Sequence, residues 1–263
     1  MSTIGFIGVG EIASAMVDGL SAAAQADTAD ERRRSFVLSP RNAERAAGLA
    51  EKISTAEVAG SNQEVVDRSD LIVLAVLPQQ TAEVLGGLEI PAEKTLVSAV
   101  AGVSAEELAK HLPNAPTIVR IIPLPAVRER KGVTAMFPAN TEVEAILDDL
   151  GGSVTAKDET LFNTLSAVTA TMSAHFAYLQ TITAWLIDQG WEQSDADHFI
   201  RGQYVGLGTT LAQTNDPISE LVAAHETPGG LNEMLNREWM DEDNRAALAT
   251  ALDRIFARVT GSS

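Results

Sequence analysis

The start of the chain combines residue types and a spacing that suit the binding of a dinucleotide. Residues 3–7 are mostly apolar, and residues 8–13 then read Gly-Val-Gly-Glu-Ile-Ala. Gly8 permits a tight turn from strand to helix, Gly10 lets the backbone approach a pyrophosphate, and Ala13 lets the helix pack closely on the strand. The phosphates would meet unpaired N–H groups at the start of the helix. The sequence therefore predicts a dinucleotide site that includes Gly8, Gly10, Glu11, Ile12 and Ala13.

The end of the predicted second strand indicates which dinucleotide is bound. An NAD site normally has an acidic residue there, which hydrogen-bonds the ribose 2′-hydroxyl. In this chain the strand is followed by Ser39, Pro40 and Arg41, with no acidic residue among them. A hydroxyl and a guanidinium suit a 2′-phosphate, which arginine can bind through two hydrogen bonds. We therefore expect NADPH as the cofactor, with NADH as the weaker alternative.

The elements that must position these residues alternate between strand and helix along the first part of the chain. After the first strand, apolar runs at residues 35–38, 70–76, 95–99 and 117–121 predict buried parallel strands. A short strand or turn is expected near residue 53, and shorter strands at 133–137 and 153–155. Helical patterns lie between the strands, and Ser104 with Glu107 forms a capping box. The predicted fold class is α/β, with a Rossmann-type, doubly wound and mostly parallel sheet.

A helical period replaces the strand signal in the second part of the chain. From Asp158 onward, apolar residues recur at helical spacing, as in Leu161, Leu165 and Val168. Further helices are expected at residues 195–213, 217–224, 228–236 and 241–259. We therefore place an NADP-binding Rossmann domain at residues 1–156 and an all-helical C-terminal domain at residues 157–263.

Composition limits the classes of partner. The formal net charge is −17, and no basic stripe could release counterions from a nucleic acid. The longest apolar runs are too short to span a bilayer, and the N-terminus lacks a secretory signal. Without cysteine, disulfides and thiolate chemistry are excluded. We expect a cytoplasmic protein that acts on a small molecule and binds neither nucleic acid nor membrane.

Several short motifs occur together in one order along the chain, at residues 5–13, 39–42, 70–79, 98–104, 119–123, 132–134 and 227–230. In these motifs the chain resembles pyrroline-5-carboxylate reductase, the NAD(P)H enzyme that makes proline from its cyclic imine precursor. The resemblance implies a helical domain for substrate binding and dimerisation, which interlocks with its partner in a homodimer or higher oligomer, with active sites at the interface. It also implies further cofactor contacts at Ala75, Val76, Pro78, Ala101 and Gly102.

The chain departs from the family pattern where the chemistry is expected. Leu77 stands in place of a lysine, and Leu124 in place of an asparagine. A glycine-rich turn has become a helix-compatible segment that carries His175, and the hydroxyl thought to protonate the imine nitrogen is replaced by the Asn232 amide. We therefore expect a more apolar substrate pocket, with either a reduced rate on the family substrate or a preference for another imine or carbonyl compound.

Imine reduction needs a proton source for nitrogen and donors for any substrate carboxylate. The Thr227 hydroxyl and the N–H groups of Gly229 and Gly230 would form an anion nest at a helix start. His175 is the candidate proton donor, since a free imidazole has a pKa of about 6.5; alternatively, it is a core or interfacial histidine bonded to a carbonyl. The candidates are catalytic His175, Asn232 and Thr227, and substrate-binding Leu124, Thr227, Gly229, Gly230 and Asn232, with no metal.

Other functions are possible on the same architecture. A ketone or hydroxyacid dehydrogenase would use a lysine of the helical domain as its acid, but no lysine follows Lys157. A deazaflavin-dependent reductase would share the glycine turn, but the long helical domain does not suit it. The remaining alternative is a catalytically weak or inactive NADP-binding protein that kept the Rossmann domain. NADPH binding without turnover of cyclic imines or keto acids would favour that alternative.

Overall fold

The computed structural model describes residues 2–26 and 33–261, so that the acidic and basic residues at 27–32 lie outside the described part. The chain divides into two compact units, residues 1–166 and 167–263. The first contains the sheet and the second is helical. In the described ranges, no helix is both long and apolar enough to cross a membrane.

An eight-stranded sheet forms the centre of the first unit. Its strands are β1 (Ser2–Ile7), β2 (Arg34–Leu38), β3 (Ala56–Val58), β4 (Leu71–Leu74), β5 (Thr95–Ser98), β6 (Thr117–Ile122), β7 (Thr134–Phe137) and β8 (Ser153–Thr155). The spatial order is β3-β2-β1-β4-β5-β6-β7-β8. Neighbouring strands are parallel except for β6 and β7. The first six strands therefore have the order of the doubly wound dinucleotide-binding fold, as predicted.

Helices cover both faces of this sheet. They are α1 (Glu11–Ala26), α2 (Ala43–Lys52), α3 (Asn62–Arg68), α4 (Thr81–Gly86), α5 (Ala105–Ala109), α6 (Thr141–Asp149) and α7 (Glu159–Val168), with 3₁₀ helices at Pro78–Gln80 and Pro125–Glu129. Successive strand residues point to opposite faces. Accordingly Leu71 and Val73 enter the core cluster that contains α1, α2 and α6, whereas Ile72 and Leu74 enter the cluster that contains α3, α4 and α5. Burial on both faces explains the uninterrupted apolar run of β4.

Two local predictions can be compared with the structure. The capping box is confirmed, because the Ser104 hydroxyl accepts a hydrogen bond from the Glu107 N–H at 3.1 Å. Near residue 53, where a short strand or turn was expected, a turn lies at residues 54–55 and the short strand follows at Ala56–Val58. Ile53 ends α2 as its C-cap and is buried in the core, so its apolar side chain reflects packing below the sheet edge and not strand pairing.

The boundary between the two units lies ten residues beyond the expected position at residue 156. Helix α7 belongs largely to the first unit because its start packs against β6. A guanidinium nitrogen of Arg120 lies 2.6 Å from Glu159, and Phe162 is 1% exposed with its ring 4.5 Å below the same guanidinium. The end of the strand pattern in the sequence marks the point where helices replace strands. The chain passes from the first unit to the second one helix later.

The second unit consists of the helices that follow. These are α8 (Thr171–Asp188), α9 (Gln193–Gln213), α10 (Ile218–His225), α11 (Leu231–Trp239) and α12 (Glu242–Val259). In the described part of this unit, the buried residues are Ala167, Thr183, Ala196 and Ile200. Large apolar side chains are exposed on each of the five helices, among them Phe176, Val205, Ile218, Leu231 and Leu248. A single chain therefore leaves much of the apolar surface of this unit in contact with water.

Candidate functional site

A cleft of about 780 Å³ opens in the first unit at the C-terminal ends of four parallel strands. Its walls come from the loops that follow β1, β2, β4 and β5. β1 lies between β2 and β4, where the order of winding reverses. Open α/β sheets bind their ligands at such a reversal. The cleft therefore lies where the fold itself favours a ligand.

The two glycines of the turn after β1 occupy different environments. Gly8 has φ +90°, and a Cβ there would lie 2.6 Å from the Ala75 carbonyl oxygen, so that only glycine fits between the two loops. A Cβ on Gly10, in contrast, would meet no protein atom within 4 Å. No packing within the first unit requires glycine at position 10. The missing side chain instead leaves free space in the cleft beside the backbone.

The start of helix α1 supplies hydrogen-bond donors to the cleft. Its first backbone hydrogen bond runs from the Ser14 N–H to the Gly10 carbonyl at 3.0 Å. The N–H groups of Glu11 and Ile12, two residues that line the cleft, therefore have no acceptor within the helix. Unpaired N–H groups and the helix dipole together favour an anion at this end. The arrangement suits a phosphate group.

One carboxylate also lies at this end of α1, and its charge is paired. The Glu11 oxygens lie 2.8 Å from a guanidinium nitrogen of Arg45 and 2.7 Å from one of Arg128. Two cations therefore flank a single anion at the start of α1. This pairing lowers the repulsion that an anionic ligand would otherwise meet at Glu11.

The loop after β2 joins the glycine turn through Asn42. Its amide nitrogen donates to the Val9 carbonyl at 3.2 Å, and its oxygen accepts from the Arg45 N–H at 3.4 Å as the N-cap of α2. Asn42 was not among the site residues predicted from the sequence. An asparagine directly before a predicted helix is nevertheless a recognised capping signal.

Ser39 and Arg41, the residues expected to choose the cofactor, are placed differently. Arg41 is exposed and lines the cleft. Ser39 is 1% exposed, and its hydroxyl donates to the Asn62 oxygen at 2.8 Å. The structure therefore presents the guanidinium to the cleft and turns the serine hydroxyl to a neighbouring loop. The Ser39 hydroxyl ties the end of β2 to the start of α3. Its role as a donor to a phosphate stays a prediction.

Most of the predicted cofactor residues come together in this cleft. Its lining includes Gly8, Gly10, Glu11, Ile12, Arg41, Ala75, Val76, Pro78 and Ala101, whereas Ala13, Ser39 and Gly102 are outside the lining. Ala13 is fully buried beneath the turn, which agrees with a packing role. The lining also contains residues that the sequence analysis did not select, namely Val9, Asn42, Ala43, Glu44, Leu77, Gln80 and Ala99. Each is a close neighbour in sequence of a predicted residue.

Leu77 gives the cleft an apolar rim. Its side chain is 56% exposed although it is a leucine. It stands where the resembled family has a lysine, and it continues an apolar wall formed by Ala75 and Val76. Leu124, the other apolar replacement, is half-buried at the N-cap of the 3₁₀ helix Pro125–Glu129 and is not part of the cleft lining.

An aromatic cluster surrounds His175 in the second unit. The exposed His175 ring lies 5.7 Å from the ring of Tyr204 in an edge-on arrangement, and Tyr178 stacks on Trp239 at 5.0 Å. Burial, followed by a hydrogen bond with Tyr178, raises the pKa of the Tyr204 hydroxyl well above its usual value. Tyr204 is therefore protonated at neutral pH.

The loop before α11 holds the other candidate substrate residues, and its backbone N–H groups donate within the chain. The Gly229 N–H donates to the Glu233 carboxylate at 2.5 Å, and the Gly230 N–H donates to the Thr227 carbonyl at 2.7 Å. The Asn232 amide donates to the His225 carbonyl at 2.8 Å. The two backbone N–H groups of the predicted anion nest therefore donate to acceptors of the chain itself, and the assignment of this loop to the substrate stays a prediction. A glutamate three residues after an N-cap is a capping signal that sequence reasoning could have used.

The candidate residues of the second unit thus form two groups. Thr227, Gly229, Gly230 and Asn232 share one loop and helix start, whereas His175 belongs to the aromatic cluster on α8. Among the described residues, no hydrogen bond joins the two groups, and no group of three or more metal-ligating side chains is present. Their assignment to a common substrate site stays a prediction.

Each of the two units matches a known protein family. Residues 3–102 match the family model described as NADP oxidoreductase coenzyme F420-dependent, and residues 159–261 match that described as pyrroline-5-carboxylate reductase dimerisation. Pyrroline-5-carboxylate reductase of Pasteurella multocida is 26% identical over 269 residues, which cover 96% of each chain. The N-terminal match agrees with the glycine turn, which reductases of several kinds share. The C-terminal match is to a model described by one of these kinds, the pyrroline-5-carboxylate reductases.

Solved structures agree with this placement at the level of the fold. A pyrroline-5-carboxylate reductase from Coxiella burnetii has a TM-score of 0.82 at 21% identity and covers 100% of this chain and 98% of its own. The Plasmodium falciparum pyrroline carboxylate reductase, solved with NADP bound, has a TM-score of 0.77 at 17% identity. The match covers 99% of this chain and 97% of that one. The whole chain therefore has the fold of these reductases, including its helical part.

Proposed function

Since the chain belongs to the pyrroline-5-carboxylate reductase family, we propose that it is an NADPH-dependent reductase acting on the C=N bond of a small cyclic imine. The substrate is 1-pyrroline-5-carboxylate, which would give proline, or a related imine. Relatives that match along the whole chain support the reaction class. The identity to each is low, and the substituted residues at 77, 124 and 232 lie in family motifs, so the choice of imine is open to test.

The observation that carries this proposal is the free space at Gly10 beside the N–H groups of Glu11 and Ile12, which have no acceptor within α1. These groups fit the pyrophosphate of a dinucleotide, and the exposed Arg41 at the rim fits a 2′-phosphate. NADPH supplies a hydride when it is bound. The protein would hold the phosphates, and the apolar wall at Ala75, Val76 and Leu77 would exclude water from the neighbouring ring of the cofactor.

For the proton on nitrogen, His175 is the proposed donor. It is exposed in the chain, and its ring lies 5.7 Å from that of Tyr204, whose raised pKa keeps the tyrosine protonated. Asn232 and Thr227 would orient the substrate. An imine that binds already protonated requires no donor from the protein.

We propose further that the protein acts as a homodimer through its helical unit. The match of residues 159–261 to a dimerisation family supports this assembly, and so do the exposed apolar side chains of α8 to α12.

The proposal is tested by NADPH binding and NADPH oxidation with wild-type protein and the Gly10→Ala variant. A methyl group at position 10 meets no protein atom, so the variant should keep its thermal stability, yet it should lose about tenfold or more in NADPH affinity because the methyl group occupies space beside the pyrophosphate. Gly48→Ala, also in open space but on α2, is the control and should bind NADPH as the wild type does.

The turnover assay separates the proposed function from its alternative. Wild-type protein should oxidise NADPH with 1-pyrroline-5-carboxylate or another cyclic imine. If NADPH binds and yet no imine or keto acid of a panel is reduced, the protein is an inactive NADP-binding member of the family. If Gly10→Ala binds NADPH normally, the cleft is not the cofactor site.

A further inference from the structure

The carboxylate of Glu11, which lines the cleft, holds two arginines beside it. It lies 2.8 Å from a guanidinium nitrogen of Arg45 and 2.7 Å from one of Arg128. Arg128 has a second carboxylate near it, because Asp18 lies 3.6 Å away. In the ranges that the structure describes, Arg45 forms its ion pair with Glu11 alone. Glu11 therefore decides whether the guanidinium of Arg45 is free to meet another anion.

Arg45 lies in the first turn of α2, directly after residues 41–44, which line the cleft. The first backbone hydrogen bond within α2 runs from the Ala46 N–H to the Asn42 carbonyl at 2.9 Å. The N–H groups of residues 43 and 44 therefore have no acceptor in the helix. These donors and the exposed Arg41 suit the 2′-phosphate of the proposed cofactor. An arginine in the same turn is placed to add a further donor to that phosphate.

The ion pair of Glu11 and Arg45 is easily opened because both side chains meet water. The exposed fraction is 60% for the Glu11 side chain and 43% for that of Arg45. Ion pairs with this exposure contribute little, since water screens the charges. A phosphate carries more negative charge than a carboxylate and offers more acceptor oxygens to a guanidinium. A 2′-phosphate can therefore draw Arg45 away, but only by breaking its pair with Glu11.

We propose that Glu11 limits the preference of the protein for NADPH over NADH, because its carboxylate competes with the 2′-phosphate for Arg45. The inference rests on the proposed function, since it concerns the cofactor of that same reaction. The charge of Glu11 acts on both dinucleotides through the pyrophosphate that they share. The competition for Arg45 acts on NADPH alone, because NADH has no 2′-phosphate. The ratio of the two affinities therefore isolates it.

Fluorescence titrations of the wild type and of three variants with NADPH and with NADH test the proposal. In Glu11→Gln the ratio of NADPH to NADH affinity should rise about threefold to fivefold, in keeping with the small contribution of an exposed ion pair. In Arg45→Ala the ratio should fall about fivefold or more, because a charge-assisted hydrogen bond to the phosphate is lost. The double variant should have nearly the ratio of Arg45→Ala, because Glu11 then has no Arg45 to hold.

Asp18→Asn is the matched control. It removes a carboxylate from the same helix, α1, that also lies near Arg128 but is outside the lining of the cleft. The ratio should equal that of the wild type. An unchanged or lower ratio in Glu11→Gln overturns the inference, because Glu11 would then only join α1 to α2. A rise of the same size in the double variant also overturns it, because the effect would not pass through Arg45.

These titrations keep the inference separate from the proposed function because they require no imine. If NADPH binds and no imine is reduced, the proposed reductase function fails, and the affinity ratios still decide the role of Glu11. If imines are reduced and the ratio does not respond to Glu11→Gln, the inference alone fails. If the wild type binds neither dinucleotide, the cleft is not a cofactor site, and both are overturned.

Discussion

Neighbouring residues of one motif can face different surroundings, and the end of β2 is an example. Ser39 and Arg41 are two positions apart and both suit a phosphate by residue type. Arg41 is exposed on the cleft, whereas the Ser39 hydroxyl is held inside by Asn62, which lies 23 residues further along the chain. Of the two residues, Arg41 is therefore the one placed to meet the proposed 2′-phosphate.

The Arg41→Ala variant should separate the two cofactors. No ion pair or hydrogen bond engages Arg41 within the described part of the chain, so that its guanidinium is available to a ligand. A charge-assisted hydrogen bond contributes about 1.5–3 kcal/mol, so NADPH affinity should fall roughly ten- to a hundredfold. NADH affinity should barely change because NADH lacks the 2′-phosphate. Fluorescence titration with both dinucleotides measures the two effects.

Arg68→Ala provides the control for this measurement. It removes the same charge from the far edge of the sheet, where Arg68 pairs with Glu57 and Glu64. Both cofactors should bind it as they bind the wild type. An equal loss of NADPH and NADH affinity in Arg41→Ala would show that Arg41 does not recognise the 2′-phosphate.

At the residue scale, sequence reasoning succeeds where the motif is local. Gly8 and Gly10 were predicted from their spacing, and the structure adds that only Gly8 is required by packing. Glu233 was not predicted, although it lies one residue from a selected position. The hydrogen bond that the Glu233 carboxylate accepts from the Gly229 N–H depends on side-chain placement, which motif spacing does not specify.

At the scale of elements, helix α7 joins the sheet through a buried arginine. The Arg120 side chain is 5% exposed, and burial lowers its pKa while the Glu159 carboxylate opposes that effect. Its guanidinium donates to Glu159 and Asn163 and covers the ring of Phe162. The period of α7 was predicted from sequence, yet its docking on β6 was not, because periodicity identifies an apolar face without naming the surface that receives it.

The Glu159→Gln variant tests how much this docking contributes. It leaves the buried guanidinium without its counter-charge, and since Glu159 is itself partly exposed, the free energy of unfolding should fall by only about 1–2 kcal/mol. Glu142→Gln is the control, because Glu142 also lies in the first turn of a helix, α6, and has the same dipole interaction. Urea unfolding of both variants measures the difference. Equal losses would assign the effect to the helix dipole and not to Arg120.

At the scale of the whole molecule, the two units bury their apolar residues to different extents. The first unit has a core on each face of its sheet, and its strand order followed from alternating strand and helix patterns together with a local turn motif. The second unit has apolar side chains at helical spacing that were expected, but most of them are exposed. Periodicity within one chain cannot distinguish a face that packs on its own chain from one that packs on a second copy.

A second copy of the chain should therefore cover part of the second unit. Sedimentation at micromolar concentration should give twice the monomer mass of 27.8 kDa. Val205 on α9 is 69% exposed, and Val205→Glu should shift the equilibrium towards monomer because a carboxylate buried in an apolar interface costs several kcal/mol. Val58→Glu, on the edge strand β3 of the first unit, changes the same residue type and should remain dimeric. If the wild type is monomeric across the micromolar range, the helical unit is not a dimerisation surface.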